Sequence, residues 1–265
     1  MKSWFLLAHG VGGRLDLPLS RWQVAWAAAV VLVLSFALLG LLWKRPLLRT
    51  RTVGKKISNG FVNKGFSQGV TRLIGLAFFI VVVSAGFFGQ DNTIANIGPV
   101  TVFIVFWVGI AFASVLFGHV WERISPWETL GLLTENFRPQ YDRKAPTWIT
   151  SGWVALAPIS IFHWFELAYH DGASPRVLGW WALIYTICLL GAAWRWGWPV
   201  VRKAEGFSVL FGALAELSPI QSRGNGRIHI RWPLIGVVNA EMRPATLAVV
   251  LAALGGTAFD GVSRT

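Results

Sequence analysis

The chain has very little of what cysteine chemistry and soluble catalysis usually require. Its one cysteine, Cys188, lies inside an apolar run, so the chain alone cannot form a disulfide or a cysteine-ligated metal cluster. Only 14% of the residues are charged, against about a quarter in ordinary soluble domains. Phosphate-loop, Gly-x-Ser-x-Gly and His-Glu-x-x-His motifs are absent. The sequence therefore does not indicate a soluble enzyme of those classes.

Hydrophobic sequence takes up much of the chain instead. Hydrophobic residues make up 54% of it, and the mean hydropathy is +0.55. Because a helix needs about 20 apolar residues to cross a bilayer core of about 30 Å, we predict an all-α, polytopic transmembrane helix bundle that forms a single integral membrane domain. About six spans are predicted: Trp22–Trp43, Leu73–Gly89, Val100–Gly118, Trp148–Tyr169, Val177–Trp194 and Ala245–Phe259.

The formal net charge of +12 falls on one side of this predicted topology. Segments 44–72, 119–147 and 195–244 share that side and contain 19 of the 24 basic residues but 7 of the 12 acidic ones, so they carry the whole excess. Since basic loops stay in the cytoplasm, we predict a bacterial plasma (inner) membrane protein with both termini outside. The pI near 10.9 then indicates attraction to anionic inner-leaflet lipid rather than to nucleic acid, because the charge follows the topology.

Segment 44–72 contains eight basic residues and no acidic one. We interpret it as a loop that sets the orientation and faces lipid; a site for an anionic ligand is the alternative.

The segment around Lys2 resembles a short signal peptide, and we interpret it as an uncleaved outer segment, with a cleaved form as the alternative. The tryptophans cluster near the predicted span ends as an aromatic belt, with Trp22, Trp26, Trp164, Trp180 and Trp181 outside and Trp43, Trp121, Trp148, Trp194, Trp196 and Trp198 inside.

Two short helices are predicted on the cytoplasmic surface. Ser125-Pro126 followed by Glu128 is a helix-start signature, with serine as N-cap and proline at the first helical position. Residues 206–217 are typical of a short interfacial helix. The turn-forming stretch 223–227 precedes an alternating stretch, 228–232, so a small hairpin is compatible with the pattern.

Seven short strings lie along nearly the whole chain: His9–Pro18, Gly89–Asp91, Phe106–Gly109, Val120–Pro126, Glu205–Phe207, Leu217–Pro219 and Thr257–Asp260. In sequence and in order they resemble a family of bacterial multi-span membrane proteins commonly labelled fenitrothion hydrolase. The resemblance implies a hydrolase of organophosphate-type esters, but no motif of that family assigns the chemistry to particular residues. Members of the family typically continue with further spans, so an active site that needs those spans would be absent from this chain.

His163, Glu166 and His170 form the sharpest candidate metal site. At 100° per residue they share one helical face at the outer end of the fourth predicted span. Imidazole and carboxylate groups suit a divalent metal such as Zn²⁺, which would activate water for hydrolysis. His9 and Asp16 are weaker candidates to complete this site. The alternative is that these side chains belong to a loop or form hydrogen bonds between helices.

Asp91 and Asp260 follow outward-going spans and could join Glu166 in an acidic outer vestibule of a cation or proton pathway. The alternative is that they cap or solvate helix ends.

Three functions follow from the sequence. The leading interpretation is a membrane subunit of a larger assembly with no complete catalytic site of its own, for which we expect other membrane subunits as partners. The alternatives are a membrane-embedded, metal-assisted hydrolase and a transporter or channel for a small solute or ion.

Overall fold

A computed structural model describes residues 21–42, 55–58, 64–138, 144–223, 227–240 and 242–263, and it confirms an all-α bundle. Two 3₁₀ turns (Trp153–Ala155 and Arg202–Ala204) and a π-helical segment (Val100–Gly109) interrupt or extend the α-helices. In chain order the helices and strands are α1 (Arg21–Leu42), β1 (Lys55–Ser58), α2 (Lys64–Phe88), α3 (Ile97–Pro99), α4 (Ile110–Phe117), α5 (Val120–Ile124), α6 (Pro126–Phe137), α7 (Thr147–Thr150), α8 (Leu156–Leu167), α9 (Pro175–Trp196), α10 (Trp198–Val201), α11 (Gly206–Ala215), β2 (Ile220–Arg223), β3 (Arg227–Ile230), α12 (Ile235–Asn239) and α13 (Pro244–Ser263).

Five of the described helices are long and apolar enough to cross a membrane, as expected for a membrane protein. They agree with five of the six predicted spans, and α3, the π-helical segment and α4 join into one of them. The five apolar stretches are Ala25–Leu42, Gln68–Phe88, Ile97–Phe117, Pro175–Trp196 and Pro244–Gly261.

The predicted span Trp148–Tyr169 is where the structure differs most from the sequence-based prediction. Gly152 adopts a left-handed backbone conformation with φ of +83° and separates α7 from the helix that follows. The remaining apolar helix, Trp153–Leu167, is about 22 Å long at about 1.5 Å per residue. That length falls short of a bilayer core of about 30 Å. Ile159 and Phe162 are buried, whereas several other residues of α8 are exposed, so α8 packs one face against the bundle.

The two short helices predicted on the surface both exist as α6 and α11, and each buries part of its length in the bundle. In α11, Phe207, Leu210 and Phe211 are all buried, and the helix packs against α4, α8 and α13. Amphipathic sequence alone does not tell a membrane surface from a protein interior, because both cover an apolar face. Helix α11 therefore packs into the bundle along its buried face, and its position at the membrane interface stays a prediction.

A small antiparallel sheet joins distant parts of the chain. Its strand order is β1-β3-β2, and the β2–β3 hairpin confirms the pattern seen in the sequence. Strand β1, from the first basic segment, pairs with β3, from the third, with Lys55 opposite Ile230. Arg202 of the third segment forms ion pairs with Glu122 and Glu128 of the second. The three basic segments therefore meet at one end of the bundle.

Candidate functional site

Glu205 is the most deeply buried charged residue described, with 1% of its surface exposed. It stands directly before α11, where its carboxylate accepts hydrogen bonds from the backbone N–H groups of Phe207 (2.9 Å) and Ser208 (2.7 Å). The hydroxyl of Tyr185, on α9, donates a third hydrogen bond to the same carboxylate. The positive end of the helix dipole also favours a negative charge at this place. Glu205 thus caps α11 and fastens it to α9.

A second buried carboxylate, Glu128, lies in the first turn of α6. Ser125 caps this helix by accepting a hydrogen bond from the Glu128 backbone N–H at 3.2 Å. The Glu128 side chain accepts hydrogen bonds from the Trp198 indole N–H (2.9 Å) and from Arg202 (3.2 Å). Arg202 also bonds Glu122 at 3.3 Å. This network joins α5, α6 and α10 at the basic end of the bundle.

Aromatic rings fill the space between the two carboxylates. Phe207 stacks on Trp127 with ring centroids 5.8 Å apart, and Trp127 meets Tyr185 edge-on at 4.8 Å. The indole N–H of Trp127 donates to the Thr186 hydroxyl at 2.8 Å. Two tryptophans that were assigned to the aromatic belt, Trp121 and Trp198, are buried core residues. Trp198 packs on Gly131, where a Cβ atom would overlap its ring.

A cavity of about 90 Å³ lies beside this aromatic core, between α2, the π-helical segment, α5, α6 and α9. Its walls are apolar except at Thr101, whose hydroxyl already donates to the Ile97 carbonyl. Trp121 also lines the cavity, and its indole N–H is buried without a hydrogen-bond partner in the described part of the chain. Apolar cavities of such size stay dry and take apolar guests. The lining residues are Gly75, Phe78, Phe79, Val82, Thr101, Val102, Val105, Phe106, Ile110, Trp121, Ile124, Pro126, Trp127, Trp181 and Ala182.

The predicted metal ligands are placed as follows. His163 is buried, and its Nδ1 lies 2.9 Å from the Ile159 carbonyl oxygen, a bond that requires the proton on Nδ1. Its Nε2 is buried without a partner in the described part of the chain. Glu166 is half-buried, whereas His170 is exposed and lies 2.8 Å from Asp171. Among the described residues, no three His, Cys, Asp or Glu side chains are grouped so that they could hold a metal ion.

The weaker metal candidates His9 and Asp16 lie outside the described residues, so the metal site stays a prediction. The acidic candidates at the outer edge lie on different elements. Asp91 is exposed and accepts a hydrogen bond from Ser174, just before α9, at 3.1 Å. Asp260 is half-buried near the end of α13. The contact of Asp91 connects two loops at the end of the bundle away from the sheet.

Arg231 closes the other end of α11. Its buried guanidinium donates to the carbonyl oxygens of Ala215, Glu216 and Ser218 and to the Glu216 carboxylate at 3.0 Å. His119 lies 3.6 Å from the same carboxylate. The hydrogen-bonding contact with His119 and the charge of Arg231 hold the pKa of Glu216 below its usual value, against the opposing effect of burial. Carbonyl groups at a helix end otherwise lack partners, so Arg231 acts as a side-chain cap.

The side-chain contacts of this network were not predicted from the sequence, although Glu128 was placed at a helix start. They involve Glu128, Tyr185, Glu205 and Arg231. Glutamate is not among the residues preferred at an N-cap, so the order Glu205-Gly206 gives no capping signal. The contact of Glu205 with Tyr185 has no local signal either, because it joins two helices.

No family model, no curated protein and no solved structure matches this chain.

Proposed function

We propose that this chain is a membrane-embedded subunit of a larger assembly, which acts by binding other membrane subunits and does not carry out catalysis of its own. Its basic end would lie in the cytoplasm. The observation that carries the proposal is the complete exposure of α1. Within Ala25–Leu42, 0% of the residues are buried inside the protein, whereas 33% of Pro175–Trp196 are buried.

Helix α1 is apolar around its whole circumference. Its large apolar side chains that the structure describes are all at least 46% exposed, from Trp22 to Leu42. Lipid tails are as apolar as leucine, so transmembrane helices associate through close packing and not through hydrophobic burial. The rest of the bundle leaves α1 uncovered, so every face of this span is available to a helix of another subunit.

The buried polar groups of the bundle support the same proposal. The carboxylate of Glu205 is engaged by two backbone N–H groups and a tyrosine hydroxyl, and that of Glu128 by an indole and a guanidinium. The bonds from the tyrosine, the indole and the guanidinium each join separate helical segments, and the two backbone bonds cap α11. Buried polar groups are expensive unless they are paired, and these carboxylates are paired within the chain. Their role is to hold the bundle together.

Cysteine cross-linking tests the role of α1. Cys188 is replaced by serine, and single cysteines are introduced one at a time at positions 28–38 of α1, then cross-linked in native membranes. We expect adducts of discrete mass from positions that recur every three to four residues, because a partner helix covers one face. The matched control is Ile187→Cys on α9, which is 68% exposed. If every α1 position reacted equally with lipid and none gave a protein adduct, the proposal would be rejected.

Orientation is tested in the same cysteine-free background. Ile94, on the loop after α2, is 76% exposed, and Lys144, on the second basic segment, is also exposed. A membrane-impermeant thiol reagent added to intact cells is expected to label Ile94→Cys and to leave Lys144→Cys unlabelled until the cells are opened. Labelling of Lys144→Cys in intact cells would show that the basic end faces outward.

A further inference from the structure

The cavity beside the aromatic core opens sideways, between α2 and the π-helical segment. Phe78 on α2 and Val105 on the π-helical segment both line it and are 44% and 37% exposed. Both residues lie within stretches that are long and apolar enough to cross a membrane. If the chain is a membrane protein, as proposed above, the opening faces the hydrocarbon of the bilayer and not water.

Two backbone features border this space. Ten successive residues, Val100–Gly109, form π-helical hydrogen bonds, which are rare and usually limited to single turns at functional sites. At the basic end, α2 approaches α5 so closely that a Cβ atom on Gly75 would overlap the Ile124 carbonyl. The cavity runs along α2 from Gly75 to Val82, which is about 10 Å at about 1.5 Å per residue. Its almost wholly apolar lining suits a hydrocarbon chain.

The basic end of the cavity has groups that suit a lipid headgroup. Arg72 lies one turn before Gly75 on α2, and Arg123 directly precedes Ile124 on α5. Because Gly75 and Ile124 are in contact, both arginines belong to the same end of the cavity.

We propose that this cavity is a binding site for one acyl chain of an anionic phospholipid, with the phosphate at Arg72 and Arg123. The apolar walls give affinity for the chain, and the two arginines give preference for a negatively charged headgroup, because phosphate and guanidinium form strong charge-assisted hydrogen bonds. The bound lipid would fill the space left by the π-helical segment and pack against the aromatic core.

Native mass spectrometry of the full chain, delipidated in detergent and titrated with dioleoyl phosphatidylglycerol, tests this site. Wild type is expected to bind one lipid per chain. Val105→Phe places a ring in the opening and is expected to lower the bound fraction at least about fivefold, which corresponds to about 1 kcal/mol of binding free energy. Val108→Phe is the matched control, since Val108 lies on the same helix, is 44% exposed and is not part of the lining.

The headgroup is tested with variants outside the core. The double substitution Arg72→Gln and Arg123→Gln is expected to abolish the preference for phosphatidylglycerol over dioleoyl phosphatidylcholine while retaining binding of both. Three results would overturn the proposal. They are no binding of added lipid by wild type, an equal loss of lipid binding in Val105→Phe and Val108→Phe, and equal binding of the two lipids by wild type. Each of these outcomes is independent of whether α1 binds another subunit.

Discussion

Replacing Glu205 with alanine removes the acceptor of three hydrogen bonds from the interior of the bundle. The backbone N–H groups of Phe207 and Ser208 lose their cap, which is typically worth about 1 kcal/mol. The Tyr185 hydroxyl is left buried without its partner, at a cost of about 1–3 kcal/mol. Together with the space left by the side chain, we expect Glu205→Ala to lower the free energy of unfolding by about 3–5 kcal/mol.

The assay is reversible unfolding of the detergent-purified protein in a denaturing detergent, followed by circular dichroism. Tyr185→Phe is the matched comparison, because it removes one hydrogen bond and retains both backbone contacts of Glu205. It should cost about 1 kcal/mol. Glu205→Gln keeps one carbonyl acceptor and is expected to fall between the two. If Glu205→Ala cost no more than Tyr185→Phe, the carboxylate would not be the cap that holds α11.

Three further substitutions test contacts elsewhere in the bundle. Gly256→Ala places a methyl group into the His163 ring and should destabilise the protein by about 1–3 kcal/mol in thermal unfolding, because overpacking forces the helices apart. Arg231→Met removes the side-chain cap of α11 and should lower thermal stability and increase amide hydrogen exchange in that helix. Because the pKa of Glu216 is lowered in the folded protein, its contribution to stability is present above the ordinary carboxyl pKa and is lost as pH falls through the lowered value; Glu216→Gln should remove that part of the acid sensitivity.

Each of these has a result that would contradict it. Gly255 is the control for Gly256, since a Cβ atom there meets nothing within 4 Å. Equal effects of alanine at the two positions would show that helix propensity, and not the contact with His163, is responsible. Arg231→Met with unchanged exchange in α11 would remove its role as a cap. An unchanged acid midpoint in Glu216→Gln would show that other carboxyl groups govern acid unfolding.

The long helices could be predicted because runs of about 20 apolar residues have few alternatives to crossing a membrane. The interior of the bundle could not be predicted in the same way. Trp121 and Trp198 fall near predicted span ends, where tryptophan favours the interface. Both are buried, however, Trp121 against α6 and α11 and Trp198 against α6. Position along the chain gives depth in the membrane, but it does not show which short helix folds back into the protein.

The candidate site shows the same limit. His163 and Glu166 share a helical face by periodicity, but periodicity does not bring a ligand from another helix. Glu205 and Tyr185 are twenty positions apart on different helices, and only packing brings them into hydrogen-bonding distance. The capping role of Glu205 was not readable either, because glutamate is not among the preferred N-cap residues. Contacts between elements depend on tertiary structure, which composition and spacing do not specify.

The pairing of β1 with β3 imposes an order on the assembly of this protein as it is synthesised. Between these two strands the chain contains α2, the helix Ile97–Phe117 and α9, three of the five long apolar helices described. Strand β1 therefore leaves the ribosome early and has no partner until all three helices have been made. Pairing across so long a stretch is slow, because the intervening chain must first be ordered. Closure of the sheet is thus a late step of assembly, and it is the event that joins the first basic loop to the last.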